Sequence, residues 1–463
     1  MQIPSFLTSE QCLACRGCCL FHDAHGDWSP RLMPEDVAAL LPHAGDAAWQ
    51  EGSDQIRLKG CAGGAHACSF LNVQDHHCSV YAHRPFECRL YPFLLSREAH
   101  GFKVYAHLSC PAIAALKKAG TWGAAVAAIR EYFQKVEVQA LVERGAASYP
   151  DYSLSTDEVE EVFAFDPAAR LWAMRPYMER ALSARPGILS SRSFVNMLAW
   201  KDFFDFSYEE FDGCACVFAA QPAGIFMYWP PLGVLTRGAV DAGFGHMRAH
   251  NHGGSLTRVE NVAAHELPYF DQARYRFEQR GQEYVYARRD IAGLCGKSYK
   301  SRRGDVNIFE RSGAHVFRPY EDRDFNACAG LYDRWAQGRD RTHADEAYRF
   351  MLEDNRIVHR VILSYASRLG LVGRVVEVNG LIEAYTFGYA LSADTFCVLL
   401  EVADVLRKGL PAFVFSRFCR DKALEEFTWI NAMDDMSTGG LARAKMLWRP
   451  TRLEPLYAVM LKE

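Results

Sequence analysis

The sequence has no run of eighteen or more apolar residues, so it predicts no transmembrane helix. Its first residues, MQIPSFLTSEQC, lack the basic segment and the long apolar stretch of a secretory signal, which favours a cytoplasmic protein. Low-complexity tracts and short repeats are also missing, which excludes a repeat array. The net charge of −4 is not that of a general nucleic-acid binder, and we expect no DNA partner.

Cysteine, by contrast, is abundant and unevenly distributed. Nine of the fifteen cysteines precede residue 111, and four of them lie in the segment CLACRGCC at residues 12–19. A disulfide framework is the weaker interpretation, because a reducing cytosol keeps thiols free. Two cysteines separated by two residues can bind one ion from a tight turn, as in zinc sites and iron–sulfur clusters. We therefore predict that the metal ligands are Cys12, Cys15, Cys18, Cys19, Cys61, Cys68, Cys78, Cys88 and Cys110.

The same part of the chain resembles a known bacterial family. C-x2-C-x2-CC, CSFLN at 68–72, CSVYAHRPFECRLYPF at 78–93 and a later Cys-Pro are similar to the CxxCxxCC domain, whose proposed role is to chelate zinc or iron. The resemblance covers about residues 8 to 112. It implies a bound zinc ion, iron or an iron–sulfur cluster, but no particular reaction. Buried apolar cysteines without a metal are the alternative.

Composition also divides the chain into parts. Nine of the sixteen histidines precede residue 110, so residues 1–115 are predicted to form a first, Cys-rich domain. After Pro111 the sequence becomes alanine-rich with apolar residues at helical spacing, and we interpret residues 116–160 as a helical linker. Short apolar runs that alternate with amphipathic segments then predict mixed α and β structure in two units, 161–310 and 311–463.

The last third of the chain has the clearest pattern. GRVVEV and LIEAYTFGYAL flank Asn379-Gly380, which is the strongest short signal of a β-hairpin. A strand at 395–403, a helix starting close to Pro411, a strand at 427–433, a short helix and a closing strand follow. This order is expected of half a GNAT-type acyltransferase. The predicted fold class is therefore α+β, with a small Cys-rich metal-binding domain followed by two GNAT-like α/β units.

A basic and aromatic stretch lies in the middle of the chain. Residues 274–303 contain nine Arg or Lys against three acids, interleaved with Phe277 and several tyrosines. Such a mixture can bind phosphates and stack on unpaired bases, as a tRNA acceptor end requires. Composition alone favours an amphipathic element with a solvated charged face. GLCGKS at 293–298 fails the spacing of a phosphate loop, because Ile291 stands where glycine is required.

The segment WINAMDDMSTGGLARAKMLWRP, residues 429–450, follows a predicted central strand. In a GNAT-like fold the cleft opens where neighbouring central strands separate, so residues after this strand can reach a bound acyl donor. Asp434 or Asp435 can bind a substrate ammonium or act as a general base, and Lys445 can bind phosphate or polarise a carbonyl. The alternative is a helix N-terminus flanked by acids.

Two blocks, residues 283–311 and 430–450, resemble a second family. Together with YWPPLG at 228–233 they are similar to the C-terminal domain of lysylphosphatidylglycerol synthases, over about residues 165 to 463. The resemblance implies a tandem GNAT fold and transfer of an amino acid from aminoacyl-tRNA. On this basis we expect the catalytic residues to be Asp434, Asp435, Lys445 and Glu401, and the substrate-binding residues to be Tyr299, Arg302, Arg303 and Arg443.

Three functions remain open at this point. The first, which we expect, is a transferase that moves an amino acid from aminoacyl-tRNA to the amine or hydroxyl of a soluble acceptor and carries an N-terminal zinc or iron–sulfur site. The second is an N-acyltransferase that uses acyl-CoA. The last unit, however, has no [QR]-x-x-G-x-[GA] signature to bind the CoA pyrophosphate. The third is a non-enzymatic metal-binding or redox-sensing protein.

Overall fold

The computed structural model describes residues 3–4, 9–15, 17–23, 28–43, 55–61, 64–98, 101–144, 149–150, 152, 158–184, 187–252, 256–340, 346–436 and 438–462. The chain divides into two compact units, Met1–Ala169 and Arg170–Glu463. The mixture of helices and sheets confirms the predicted α+β class.

The first unit combines short helices with two small antiparallel sheets, of strand order β1-β3-β2 and β4-β5-β6. Its helices are α1 (Ser9–Cys15), α2 (Pro34–Leu40), α3 (Phe86–Leu90), α4 (Pro111–Lys118), α5 (Trp122–Phe133) and α6 (Val136–Arg144). Its strands are β1 (Leu20–Phe21), β2 (Leu58–Gly60), β3 (His66–Cys68), β4 (Phe93–Glu98), β5 (Gly101–His107) and β6 (Val159–Phe165).

The segment after Pro111 contributes to the core of the first unit. The aromatic ring of Phe133, in α5, lies 6.1 Å from that of Phe163 and 5.1 Å from that of Phe165, both in β6. β6 also pairs with β5. α5 therefore packs against the β4-β5-β6 sheet, in which β6 is an edge strand. Ten residues of the predicted linker, 145–148, 151 and 153–157, lie outside the described residues.

The second unit contains one eleven-stranded sheet of order β12-β13-β14-β15-β16-β11-β17-β10-β9-β8-β7. Its strands are β7 (Asp205–Phe211), β8 (Cys214–Gln221), β9 (Gly224–Met227), β10 (Arg258–Ala263), β11 (Tyr275–Ala287), β12 (His315–Pro319), β13 (Val372–Val378), β14 (Leu381–Ala390), β15 (Thr395–Ala403), β16 (Trp429–Asn431) and β17 (Arg452–Leu461). Its helices are α7 (Ala169–Ala184), α8 (Phe194–Ala199), α9 (Arg237–Asn251), α10 (Arg288–Gly293), α11 (Lys300–Glu310), α12 (Phe325–Asp340), α13 (Glu346–Leu369), α14 (Leu410–Cys419) and α15 (Gly439–Met446).

Local sequence signals in the last third are confirmed. The β13–β14 hairpin turns at Asn379 and Gly380, whose φ angles of 52° and 80° are those that an Asn-Gly hairpin turn requires. β15 occupies residues 395–403 as predicted, and α14 begins with Pro411 in its first turn. Only the strand predicted at 427–433 is shorter, since β16 ends at Asn431.

The two halves of the large sheet exchange strands. β11, which belongs to the predicted unit 161–310, pairs with β16, which belongs to the predicted unit 311–463. β17, the last strand, pairs with both β11 and β10. β11 and β17 are long, with 13 and 10 residues. The two predicted GNAT-like units are therefore joined in one continuous sheet by these strands.

An opening lies between β15 and β16. The two strands pair in parallel only from Thr395↔Trp429 to Cys397↔Asn431, and β16 then ends while β15 continues to Ala403. A bulge in the β14–β15 pairing, between Phe387 and Gly388, falls at the same level. Polar side chains that follow β16 can therefore enter the sheet at this point.

Candidate functional site

The acid pair Asp434–Asp435 lies in the turn that leaves β16. The turn is held in an uncommon backbone conformation, with φ angles of 62° at Met433 and 50° at Met436, on either side of the pair. The buried Asp435 accepts a hydrogen bond from the hydroxyl of Tyr284 at 2.6 Å. Burial, reinforced by the charge of Asp435, raises the pKa of Asp434 above its ordinary value, and the Lys445 ammonium opposes this rise.

Lys445 connects α15 to the same turn. Its ammonium donates a hydrogen bond to the carbonyl of Ala432 at 2.6 Å and another to the carbonyl of Asp434. The Tyr286 hydroxyl in turn donates to the carbonyl of Lys445 at 3.0 Å, which anchors α15 to β11. Burial lowers the pKa of Lys445, and the neighbouring carboxylates oppose this. Opposite shifts in Asp434 and Lys445 are what an acid–base pair at neutral pH requires.

Glu401 projects from β15 beside the opening. It lies opposite Thr386 of β14 in the strand pairing. Burial raises the pKa of Glu401 to about 8, and Thr386 and the Lys445 ammonium offset this only in part. One of its carboxyl oxygens, Oε2, is buried and makes no hydrogen bond within the described residues. Glu401 is therefore mostly protonated at neutral pH, and its carboxyl group can act as a proton donor.

Sequence reasoning missed a buried group on β11. Glu283 is 3% exposed and accepts hydrogen bonds from the backbone N–H and the hydroxyl of Ser190 and from the side-chain amide of Asn431. Burial raises the pKa of Glu283 to about 7, although all these contacts favour its charged form. The only signal in the sequence was its position within the recognised block 283–311, because its partners are 93 and 148 residues away.

The four expected substrate-binding residues are placed differently from the acids. Tyr299 is a core residue whose hydroxyl donates to the carbonyl of Trp448 at 3.2 Å. Arg302 forms an ion pair of 3.4 Å with Asp305. Arg303 donates to the carbonyls of Leu294 and Gly296. The exposed Arg443 donates to the carbonyl of Gly439 at 3.2 Å. Within the described residues these side chains bind the protein itself, and the contacts named here do not reach the acid pair.

A cysteine-lined cavity of about 1110 Å³ lies in the first unit. The structure brings to it seven of the nine predicted ligands, namely Cys15, Cys18, Cys19, Cys68, Cys78, Cys88 and Cys110. Cys61 does not line the cavity and instead directs its thiol to the carbonyl of Lys59 at 3.7 Å. The side chain of Cys12 lies outside the described residues.

The electrostatics of this cavity fit a bound cation. Burial raises the pKa of Cys68 to about 11, and burial together with the thiolates of Cys68, Cys78 and Cys18 raises the pKa of Cys88 well above its ordinary value. Backbone hydrogen bonds and the Arg84 guanidinium lower the pKa of Cys18 and Cys78 only in part. Clustered thiols repel one another when ionised, and a metal cation reverses that repulsion.

The cavity therefore contains the kind of side chains that bind zinc or iron, but the described side chains do not form a closed coordination site. Among the side chains that the structure describes, no three Cys, His, Asp or Glu groups converge closely enough to hold an ion. Thiolate donors suit zinc and iron–sulfur clusters equally well, so the cavity does not select between them.

No helix in the described part of the chain has both the length and the apolar composition needed to cross a bilayer.

Family models match both parts of the chain. Residues 186–460 match the model described as phosphatidylglycerol lysyltransferase, C-terminal. Residues 11–111 match the CxxCxxCC model, which is provisionally described as a zinc- or iron-chelating domain. Both matches confirm the resemblances noted in the sequence. No curated protein matches the chain.

Solved structures share the fold of the second part. A conserved protein of unknown function from Bacteroides thetaiotaomicron VPI-5482 is 22% identical, with a TM-score of 0.55, over 63% of this chain and 97% of that one. L-PGS from Bacillus licheniformis is 15% identical, with a TM-score of 0.44, over 61% of this chain and 90% of that one.

Proposed function

The chain belongs to the family described as phosphatidylglycerol lysyltransferase, C-terminal, and we propose that it is an aminoacyltransferase that takes an amino acid from aminoacyl-tRNA. The acceptor is the amine or hydroxyl of a soluble molecule. One observation carries the proposal. Near the point where β15 and β16 separate, burial raises the pKa of Asp434 and Glu401 and lowers that of Lys445, whose ammonium acts on both carboxyl groups.

The proposed chemistry needs little beyond positioning. The ester of an aminoacyl-tRNA is already activated, so catalysis requires an aligned acceptor, removal of its proton and stabilisation of the oxyanion. Asp434, whose pKa burial raises, accepts the proton of the attacking amine or hydroxyl, and the mostly protonated Glu401 donates a proton to the tRNA hydroxyl that leaves. The Lys445 ammonium stabilises negative charge on the reacting carbonyl oxygen.

Two features of the chain support a tRNA donor: the missing CoA-binding signature and a group of exposed cations. The sequence of this unit has no CoA pyrophosphate signature, which argues against acyl-CoA. The exposed cations Lys297, Lys300 and Arg449 lie near Trp448, just after the end of α15. There they can bind the phosphate backbone of a nucleic acid.

We propose further that the first unit binds zinc or iron through the cavity cysteines. Thiolates from α1, β3, α3 and the loops between them would hold the metal, and the metal would cross-link elements that otherwise share a small core. Metal content of protein purified without oxygen tests this. Cys88→Ser should lower the metal-to-protein ratio, whereas Cys61→Ser, outside the cavity, should leave it unchanged. Equal loss in both variants would contradict the ligand assignment.

The transferase proposal is tested with radiolabelled aminoacyl-tRNAs. Protein purified without oxygen is mixed with the labelled pool and with a small-molecule extract of the native host as acceptor. Enzyme-dependent transfer of label into a stable product supports the proposal and identifies the amino acid. Transfer from labelled acyl-CoA but not from aminoacyl-tRNA would contradict it. Absence of transfer from both donors by folded, metal-loaded protein would point to a binding module.

A further inference from the structure

Glu283 is enclosed by hydrogen-bond donors. The backbone N–H of Ser190 lies 3.0 Å and 2.8 Å from its two carboxyl oxygens, the Ser190 hydroxyl lies 2.5 Å from Oε1, and the Asn431 amide lies 2.5 Å from Oε2. Glu283 therefore ties three parts of the second unit together: β11, the end of β16 and the segment before α8.

Asn431 links Glu283 to the turn that carries Asp434 and Asp435. Its amide nitrogen uses both hydrogens, one on Glu283 and one on the carbonyl of Ile188 at 3.2 Å. Its amide oxygen accepts the backbone N–H of Met433 at 2.7 Å. Met433 is the residue with a φ angle of 62° that starts the turn carrying Asp434. Because all three groups of the Asn431 amide are used, its orientation is determined by these contacts.

The other side of the network is also buried and rigid. Tyr389, on β14, donates to the carbonyl of Ser190 at 2.7 Å and accepts from the Ser193 hydroxyl at 2.9 Å. Ser193 is in turn the N-cap of α8, through a hydrogen bond from Asn196. Ser190 is thus fixed from two sides, and it gives Glu283 a stationary partner.

We propose that Glu283 is a positioning residue, which holds Asn431 and through it the Met433 turn so that Asp434 and Asp435 face the opening between β15 and β16. The inference rests on the proposed transferase function for its catalytic consequence. A residue other than glycine that is held at positive φ is strained, and this conformation persists only where surrounding contacts determine it. The Glu283–Asn431 contact is one of those that determine it.

The Glu283 carboxylate accepts a hydrogen bond from every one of these partners. In Glu283→Gln, the new amide NH2 faces either the Asn431 amide or the Ser190 N–H, both of which are donors, and only the Ser190 hydroxyl can rotate to accept from it. Two donors then oppose each other in a buried place, and Asn431 loses its fixed orientation. Ser190→Ala is the milder change, since it removes the hydroxyl and keeps the backbone contact.

The first readout does not depend on activity. Hydrogen exchange of the full-length protein, followed by mass spectrometry on peptides that cover 430–436, measures how often the turn opens. Exchange there should be about tenfold faster or more in Glu283→Gln and increase less in Ser190→Ala. The matched control is Glu278→Gln on the same strand, where the exposed Glu278 forms an ion pair with Arg280. It should leave exchange unchanged.

The second readout is transfer kinetics. Glu283→Gln should lower kcat about 10- to 100-fold with a small change in KM, because the acids are displaced while the binding surface remains. The alkaline limb of the pH profile should also move to lower pH. The titratable groups that face Lys445 are Asp434, Glu283, Asp435, Glu401 and the thiol of Cys397, and removal of the Glu283 carboxylate makes the ammonium easier to deprotonate. A merely structural loss would lower activity without moving this limb.

The outcomes separate the two proposals. Unchanged exchange at 430–436 in both Glu283→Gln and Ser190→Ala overturns the positioning role whatever the activity. Faster exchange together with wild-type kcat in Glu283→Gln also overturns it. If exchange is faster in Glu283→Gln but the wild-type protein transfers no amino acid, the positioning role of Glu283 is supported and the transferase proposal is rejected.

Discussion

At the scale of single residues, opposite pKa shifts mark the opening between β15 and β16. Burial raises the pKa of Asp434 and Glu401 and lowers that of Lys445, and the charges of these groups partly offset one another. Such pKa shifts are common at functional sites and also occur in structural ion pairs. The position of the groups in the fold therefore distinguishes a functional site from a structural ion pair. Here the groups lie at a break in strand pairing, where a substrate can enter the sheet.

Lys445→Met should abolish most transfer. The variant keeps the length of the side chain but removes the ammonium that binds the carbonyls of Ala432 and Asp434 and that stabilises a developing oxyanion. We expect kcat to fall about 100-fold or more, measured with labelled aminoacyl-tRNA. The control, Lys422→Met on an exposed turn, should retain wild-type kcat. Equal activities of the two variants would exclude Lys445 from catalysis.

Glu401 should make stability depend on pH. Its pKa is about 8 in the folded chain against an ordinary value of 4.5, so between these values the folded state binds more protons than the unfolded state. Stability therefore falls as pH rises through this window, by a few kcal/mol at the order-of-magnitude level. Chemical denaturation at pH 5.5 and 8.5 should show this loss in wild type and a smaller loss in Glu401→Gln. The exposed Glu425→Gln should behave as wild type, and an unchanged slope in Glu401→Gln would refute the assignment.

At the scale of elements, the β14–β15 bulge shapes the opening. Gly388 lies where the pairing shifts, and a Cβ atom there would collide with the carbonyl of Cys397 and the ring of Phe396. The two strands therefore approach each other more closely at this point than residues with side chains allow. The same bulge places Glu401 on the face of the sheet that carries Thr386, as their cross-strand pairing shows.

Gly388→Ala should destabilise the second unit and disturb transfer. Forcing a methyl group into this contact costs about 1–3 kcal/mol and moves β15 relative to β16. The control is Gly304→Ala inside α11, where a Cβ meets nothing within 4 Å. That variant should be more stable by about 0.5–1 kcal/mol, because alanine favours a helix over glycine. Thermal unfolding compares them, and a neutral Gly388→Ala would show that the strands can move apart freely.

At the scale of the whole molecule, the exchanged strands make the second unit indivisible. β17 lies between β11 and β10, and β11 lies between β16 and β17, so each half of the sequence provides a strand at the centre of the sheet. A cut at the predicted boundary of residues 310 and 311 leaves each half with unpaired strand edges that would otherwise be internal.

Separately expressed fragments of the second unit should show that each half needs a strand from the other. Residues 170–463 should fold as one cooperative body, whereas 170–310 and 311–463 should each be insoluble or unfolded when expressed alone. Co-expression should recover a soluble complex, because each fragment supplies the strand that the other lacks. Solubility, circular dichroism and co-purification measure the result. A cooperative unfolding transition in either isolated fragment would contradict the exchange.

The sequence alone determined what depends on neighbouring residues. The Asn379-Gly380 hairpin, the strand at 395–403 and the helix that starts near Pro411 follow from turn chemistry and periodicity, which act over a few residues. The cysteine spacing and the block around Asp434 and Asp435 likewise indicated both resemblances, which the family models match.

Only the tertiary structure decided what depends on distant residues. Glu283 acquires its partners 93 and 148 positions away, and Tyr299, which reads as a cleft residue in the sequence, lies in the core. Seven cysteines share a cavity while Cys61 does not, although spacing treated them alike. The reason is that periodicity records which face of an element is buried, whereas pairing across a sheet is settled by the packing of the whole unit.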